Sequence, residues 1–416
     1  MLMPARSSLA PSRRALRTCA FLVLAAVPLA ACGGDSPTET KVPNDSILPE
    51  PTVEARALWL SRYDYSTQAQ LQALIDSAYS AHFNIIYLQV RGNADALYVP
   101  GLEPWFRSLS GGTLGQNPGW DPLQVAVQRA HSYGMELHAW CNVTTAWATS
   151  YALTESIPRH QLLVHPEWAL RDTIPSSGKL LVDGTSQLFS PAADGYRTHV
   201  ARVAADIVRR YAVDGIHLDY IRYPYQDWWD KVSLDAWNAS GRKLAWDDFR
   251  RAAVTDIVKQ VYDSIRAVRP AARLSAATWG IYQNTGFWSG VATGYEGRLQ
   301  DSRGWANLGI IDALVPMVYW HITPTYRQKL DFAFLADDHA KASVNGRHTY
   351  IGLDIENDSL STNGSQMVAE INRARFAGAQ GVSVFSAQIM ARNNWWHVLP
   401  QTVFKKRATV PPMAWK

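Results

Sequence analysis

The sequence predicts an α/β protein whose body is a (β/α)8 TIM barrel with long βα-loop insertions. Three observations carry that prediction. Short apolar or alternating runs recur eight times, with amphipathic helical stretches between them. The turn after the first run, Ser61-Arg62-Tyr63-Asp64-Tyr65, has no glycine, which argues against an open dinucleotide-type sheet. The long connections follow strands rather than precede them, as they do where loops at one barrel face build a site.

In chain order the strands are expected at Ala55–Leu60, Asn84–Val90, Glu136–Asn142, Gly215–Ile221, Arg273–Trp279, Ala313–Tyr319, Thr349–Asp354 and Gly381–Ser386. Among the helices, Tyr196, Val200, Val203, Ile207 and Tyr211 recur at helical spacing and make one apolar face. Trp246–Arg269 repeats the pattern through Phe249, Val254, Ile257, Val261, Ile265 and Val268, and Pro270 ends it. Such faces pack on a sheet, and closing the sheet removes its exposed edges. Long segments follow strands two to five (Arg91–Trp120, Val143–Ala192, Arg222–Ala245 and Gly280–Arg298), whereas αβ links such as Ala212-Val213-Asp214 are short. Asp214 and Asp312, just ahead of their strands, read as structural turn residues of the opposite face.

The barrel is assigned to residues 53–404, ahead of a C-terminal tail, 405–416. Residues 1–31 read as a leader: Arg6, Arg13, Arg14 and Arg17 precede an apolar run from Cys19 to Ala31 that is too short to span a bilayer. Leu29-Ala30-Ala31-Cys32 resembles a bacterial lipobox, implying cleavage before Cys32, lipidation there, and a lipid-anchored protein of the cell envelope. Residues 32–52, polar and rich in proline, read as a flexible tether.

The four leader arginines account for the whole formal charge of +4, so the mature chain is neutral. With no basic run beyond Lys405-Lys406-Arg407, nucleic acid is not an expected partner. Once Cys19 leaves and Cys32 carries lipid, Cys141 has no cysteine to pair with. The mature protein is expected to be a monomer needing no cofactor or metal.

Chemistry concentrates in Asp214-Gly215-Ile216-His217-Leu218-Asp219-Tyr220-Ile221-Arg222-Tyr223-Pro224. Side chains alternate along a strand, so His217 and Asp219 share the face opposite Ile216 and Leu218, and Pro224 stops the ladder. A carboxylate at the end of an apolar parallel strand is costly unless it has a task, and that end is the catalytic face of a barrel. The same spacing of two recurs in Gln89 and Arg91 on strand two and in His138, Trp140 and Asn142 on strand three. Asp95, Glu103, Asp301, Asp354 and Glu356 are further acids for the mouth, and spacing does not choose among them. Many of the 17 tryptophans fall in or beside the insertions, and indole faces suit the C–H faces of sugar rings.

Ordered segments along nearly the whole barrel resemble the glycosyl hydrolase-like 10 family. They include Ala55-Arg56-Ala57-Leu58-Trp59-Leu60, Leu88-Gln89-Val90-Arg91, Asp95-Ala96-Leu97-Tyr98, Leu102-Glu103-Pro104-Trp105 and Leu137-His138-Ala139-Trp140-Cys141-Asn142. His165-Pro166-Glu167-Trp168, Asp214-Gly215-Ile216-His217-Leu218-Asp219, Asp301-Ser302-Arg303 and Val315-Pro316-Met317-Val318-Tyr319-Trp320 continue the match. The resemblance implies an envelope lipoprotein with glycosidase activity on peptidoglycan glycan strands. Two departures stand out: Tyr220 replaces a second Asp after Asp219, and Met317 replaces a Gln. Alternation turns Tyr220 away from the barrel centre.

The expected function is hydrolysis of an envelope polysaccharide by two carboxyls, Asp219 and a partner drawn from Asp301, Glu103 or Asp354. Arg91, Asp95, His138, Trp140, Asn142, His217, Arg222, Tyr223, Tyr319 and Trp320 are the expected substrate contacts. The alternatives are a glycan-binding lipoprotein that does not cut and a metal-dependent sugar hydrolase or deacetylase. The latter is weakened by the lack of any His-x-His or His-x-x-x-His.

Overall fold

The computed structural model describes residues 49–173, 179–225, 227–286, 288–322, 330–342, 344–356 and 363–416. The leader, Cys32 and most of the tether lie outside the described residues. In chain order the strands are β1 (Ala55–Leu60), β2 (Ile85–Arg91), β3 (Glu136–Asn142), β4 (Thr145–Ala148), β5 (Val182–Asp183), β6 (Ser186–Leu188), β7 (Gly215–Asp219), β8 (Arg273–Trp279), β9 (Ala313–Met317), β10 (His348–Asp354) and β11 (Gly381–Phe385). Strands β4 to β6 form a small antiparallel sheet inside the insertion after β3, which the sequence reading did not foresee. The other eight strands are parallel and close into a TIM barrel in the order β1-β2-β3-β7-β8-β9-β10-β11.

The helices begin where the sequence supplies caps. Thr67 and Gln70 form a reciprocal capping box at Gln68–Ser80, and Asp121 caps Pro122–Ser132, whose proline needs no N–H partner in the first turn. Their apolar faces bury one side of the sheet; Ile216 and Leu218 of β7 and Val254, Ile257 and Val261 of the helix Trp246–Val268 share that core. A second cluster, with Ala57, Trp59, Tyr87, Trp140, Ala277, Val315 and Tyr350, fills the barrel interior. Gly215 belongs there for lack of room: a Cβ on it would lie 2.7 Å from Arg273 O and 2.8 Å from His138 Nδ1.

At the strand N-termini, Asp214 Oδ2 accepts from Leu137 N (2.8 Å) and Asp312 Oδ2 from Leu274 N (2.7 Å), the structural role expected of both. Residues 405–416 are docked against the same face. Arg56 Nη1 donates to Lys406 O at 2.6 Å, Asn84 Nδ2 to Ala408 O at 2.9 Å, and the Trp415 indole to Asp312 Oδ1 at 2.9 Å. The chain's entry is tied there too, through Glu54 N to Thr409 O at 2.9 Å.

Candidate active site

A cavity of about 420 Å³ opens at the C-terminal ends of the barrel strands. Trp59, Gln89, Trp140, Asn142, Asp219, Ala277, Met317 and Phe385 line it from the strands. Ser61, Arg62, Tyr63 and Asn93 come from the first two βα loops, Thr145, Ala148, Thr185 and Ser186 from the small sheet and its turn, and Tyr220, Arg222 and Tyr319 from beyond β7 and β9.

Asp219 is the only carboxylate lining the cavity among the described residues. It is 7 % exposed, and burial raises its pKa against the opposing pull of Arg222, the Tyr220 N–H and Trp140. Tyr220 N donates to Asp219 Oδ1 at 2.6 Å, whereas Arg222 Nη1 stands 3.6 Å from that oxygen, beyond hydrogen-bond length. Asn142 is the register partner of Asp219 on the neighbouring strand, so both project from one face into the mouth. Its Oδ1 is sealed without a hydrogen-bond partner.

Tyr220 does not turn away as alternation required. Its φ of 49° lies in the left-handed region, so the strand ends at Asp219 and the pleat no longer dictates the next side chain. The ring therefore lines the cavity, under the Arg222 guanidinium at 4.3 Å.

Of the expected contacts, Trp140, Asn142, Arg222 and Tyr319 reach the cavity. The others do not. Arg91 is fully buried; its Nε and Nη2 each donate to Glu103 at 2.8 Å, and Nη1 donates to the carbonyls of Asn142 and Val143. Burial alone would raise the pKa of Glu103, but Arg91 and His199 outweigh it and hold the carboxyl at about 2. A carboxylate sealed in that ion pair has no route to substrate, so Glu103 is a strut and not the second acid. Asp95 is also sealed and pairs with Arg62 at 2.7 Å, presenting that guanidinium to the cavity instead of itself.

His138 faces Glu136 at 3.0 Å beneath the Tyr87 ring. His217 is sealed behind Trp59 and stacked on Tyr87 at 3.9 Å. Tyr223 is buried with its hydroxyl 2.8 Å from Ser233 Oγ, and Trp320 packs at Gly280, where a Cβ would meet its ring. Asp301 caps the helix Ser302–Asn307, accepting from Gly304 N at 2.9 Å and Tyr282 Oη at 2.8 Å. Of the insertion tryptophans, Trp105, Trp147 and Trp288 are buried and Trp229 is exposed away from the cavity, where Trp59 and Trp140 are the indoles.

Asp354 ends β10, three strands round the barrel from β7, on the inward face set by Tyr350 and Gly352. It does not line the cavity, but its register partner Phe385 does. Burial raises its pKa, with the charge of Glu356 adding to the effect. Tyr319 sits within electrostatic reach of both acids; burial and the charges of Asp219 and Asp354 push its phenol up.

The first βα loop was missed. Its polar run at a strand end was the available signal, and it was read only for its lack of glycine. Arg62 and Tyr63 line the cavity, and Asp64, its Oδ2 accepting from Ser61 N at 2.9 Å, has a carboxyl pushed by burial up to about 6.

Known proteins share this framework. Glycosyl hydrolase YngK of Bacillus subtilis is 27% identical over 279 residues, which are 64% of this chain and 52% of that protein, so the match spans about half the relative's length. Glycosyl hydrolase DigH of Escherichia coli K12 is 26% identical over 342 residues, covering 73% of this chain and 75% of that protein. The glycoside hydrolase domain of PgaB (BpsB) from Bordetella bronchiseptica superposes with a TM-score of 0.60 at 12% identity, over 85% of this chain and 100% of that domain, a likeness of fold. The model of one family matches residues 54–364, the greater part of the barrel and of the whole sequence. The chain belongs to the glycosyl hydrolase-like 10 family.

Proposed function

We propose that the protein is a glycoside hydrolase that cuts the glycan strands of peptidoglycan, with Asp219 as the general acid. The observation that carries this is a carboxyl of raised pKa in the wall of an aromatic-lined cavity at the catalytic end of a barrel. Asp219 gives its proton to the glycosidic oxygen as the C–O bond breaks. Asp354, at the end of β10, attacks the anomeric carbon or takes the proton from the water that does. Trp59, Trp140 and Tyr63 offer ring faces to the sugar, while Asn142 and Arg222 hold its polar groups. The leader and Cys32 support anchoring by lipid in the cell envelope, next to that polymer.

A glycan-binding lipoprotein that does not cut has one observation in its favour: no second carboxylate among the described residues lines the cavity with Asp219. Release of reducing ends from peptide-stripped peptidoglycan strands separates the two. The hydrolase produces them, and Asp219→Asn binds the strands without producing them. If the wild type binds strands and releases none, the binding reading replaces the enzyme.

A further inference from the structure

Arg222 and Arg298 gather around one indole. Their Cζ atoms lie 5.4 Å and 4.3 Å from the Trp279 ring centre. That ring is fixed, its indole N–H donating to Ala292 O at 2.6 Å and its backbone N–H to Gln300 Oε1 at 2.7 Å. Each arginine also has a tyrosine ring: Tyr220 at 4.3 Å from Arg222 and Tyr225 at 5.0 Å from Arg298.

The two cations are poorly compensated. Arg222 is 8 % exposed, and its Nη1 is sealed without a hydrogen-bond acceptor. Arg298 Nε is sealed and unpaired as well. Burial and the nearby charge of Arg222 hold the Arg298 guanidinium below its ordinary pKa, with Asp183 and Tyr225 opposing them. Asp219, the acid nearest Arg222, is itself held toward its neutral form by burial. Half-buried like charges are costly unless an anion completes them.

We infer that Arg222 and Arg298 form an anion subsite beside Asp219 that takes the carboxylate of an acidic sugar unit. The inference rests on the glycosidase reading and extends it to the charge of the substrate. A planar two-oxygen group matches guanidinium forks. A neutral sugar leaves both arginines uncompensated, so the subsite discriminates by charge.

The test compares binding of an oligosaccharide of alternating N-acetylglucosamine and N-acetylmuramic acid with the same oligosaccharide after its carboxylates are converted to carboxamides. Wild type is expected to prefer the acidic form by about tenfold or more, with the preference shrinking as salt rises. Arg298→Gln brings the ratio close to unity. Equal binding of the two forms by wild type overturns the subsite and, if reducing ends are still released, leaves the glycosidase reading intact. A preference for the acid without any cleavage does the reverse. Because the wild-type comparison needs no variant, a folding defect in Arg298→Gln does not blunt it.

Discussion

The Trp59 indole on β1 donates to Nε2 of His217 on β7 at 2.9 Å, joining the cavity wall to the sealed barrel interior. Since Nε2 accepts, Nδ1 carries the proton and donates to Ser275 Oγ at 2.9 Å. Burial, with His138 adding to it, holds the His217 pKa well below the usual imidazole value. Its stabilising effect is therefore complete above that usual value and declines as pH falls below it. The His217 ring is expected to stay neutral between about pH 6 and 8 by NMR. His217→Leu, which orphans the Trp59 N–H, should cost about 1–3 kcal/mol in chemical denaturation.

Burial of Asp219 sets the sign of its contribution to stability. Its pKa is raised on folding, so the cost of burying its charge is absent at low pH and grows as pH rises through the folded value. Asp219→Asn is expected to melt at or above the wild-type temperature at pH 7. Strand cleavage should fall by about 10²–10⁴-fold. In the wild type, cleavage should decline with rising pH as the general acid loses its proton, a limb that pH–rate profiles detect.

Glu103 has the opposite sign. Its carboxyl is held at about 2, so its stabilisation is full above the ordinary glutamate value and is lost as pH falls through the folded one. Glu103→Gln leaves Arg91 buried without its counterion and should cost about 3–5 kcal/mol. Denaturation at pH 7 checks this; an unchanged midpoint would contradict the strut assignment.

The role proposed for Asp354 and the capping role of Asp301 predict different outcomes for their variants. Asp354→Asn should reduce cleavage by at least about 10²-fold with little change in melting. Asp301→Asn retains an oxygen able to cap its helix, and Asp301→Ala loses the cap at about 1 kcal/mol; neither should lower turnover at 25 °C. If Asp354→Asn cuts normally while Asp64→Asn does not, the second carboxyl belongs to the first βα loop.

Nearly all of the barrel was legible because β/α periodicity is a short-range pattern: β1, β3 and β8 fall on the residues expected. The site was legible only in part, because alternation gives the face of a strand but not its height or its partners. Arg91 and His138 fit the spacing, yet each is spent on an ion pair or hydrogen bond inside the wall, as is Asp95, which spacing did not single out. Tyr220 escaped because one residue of positive φ cancels the parity that sequence spacing assumes. The small sheet was invisible because its strands run only two to four residues, too few for any period to register.

The backbone hydrogen bond from Glu54 to Thr409 places the start of the barrel chain behind the molecule, at the pole remote from Asp219. Both ends of the described chain, residues 50–54 and 406–409, are thus knotted together at the pole opposite the cavity, and neither crosses its mouth.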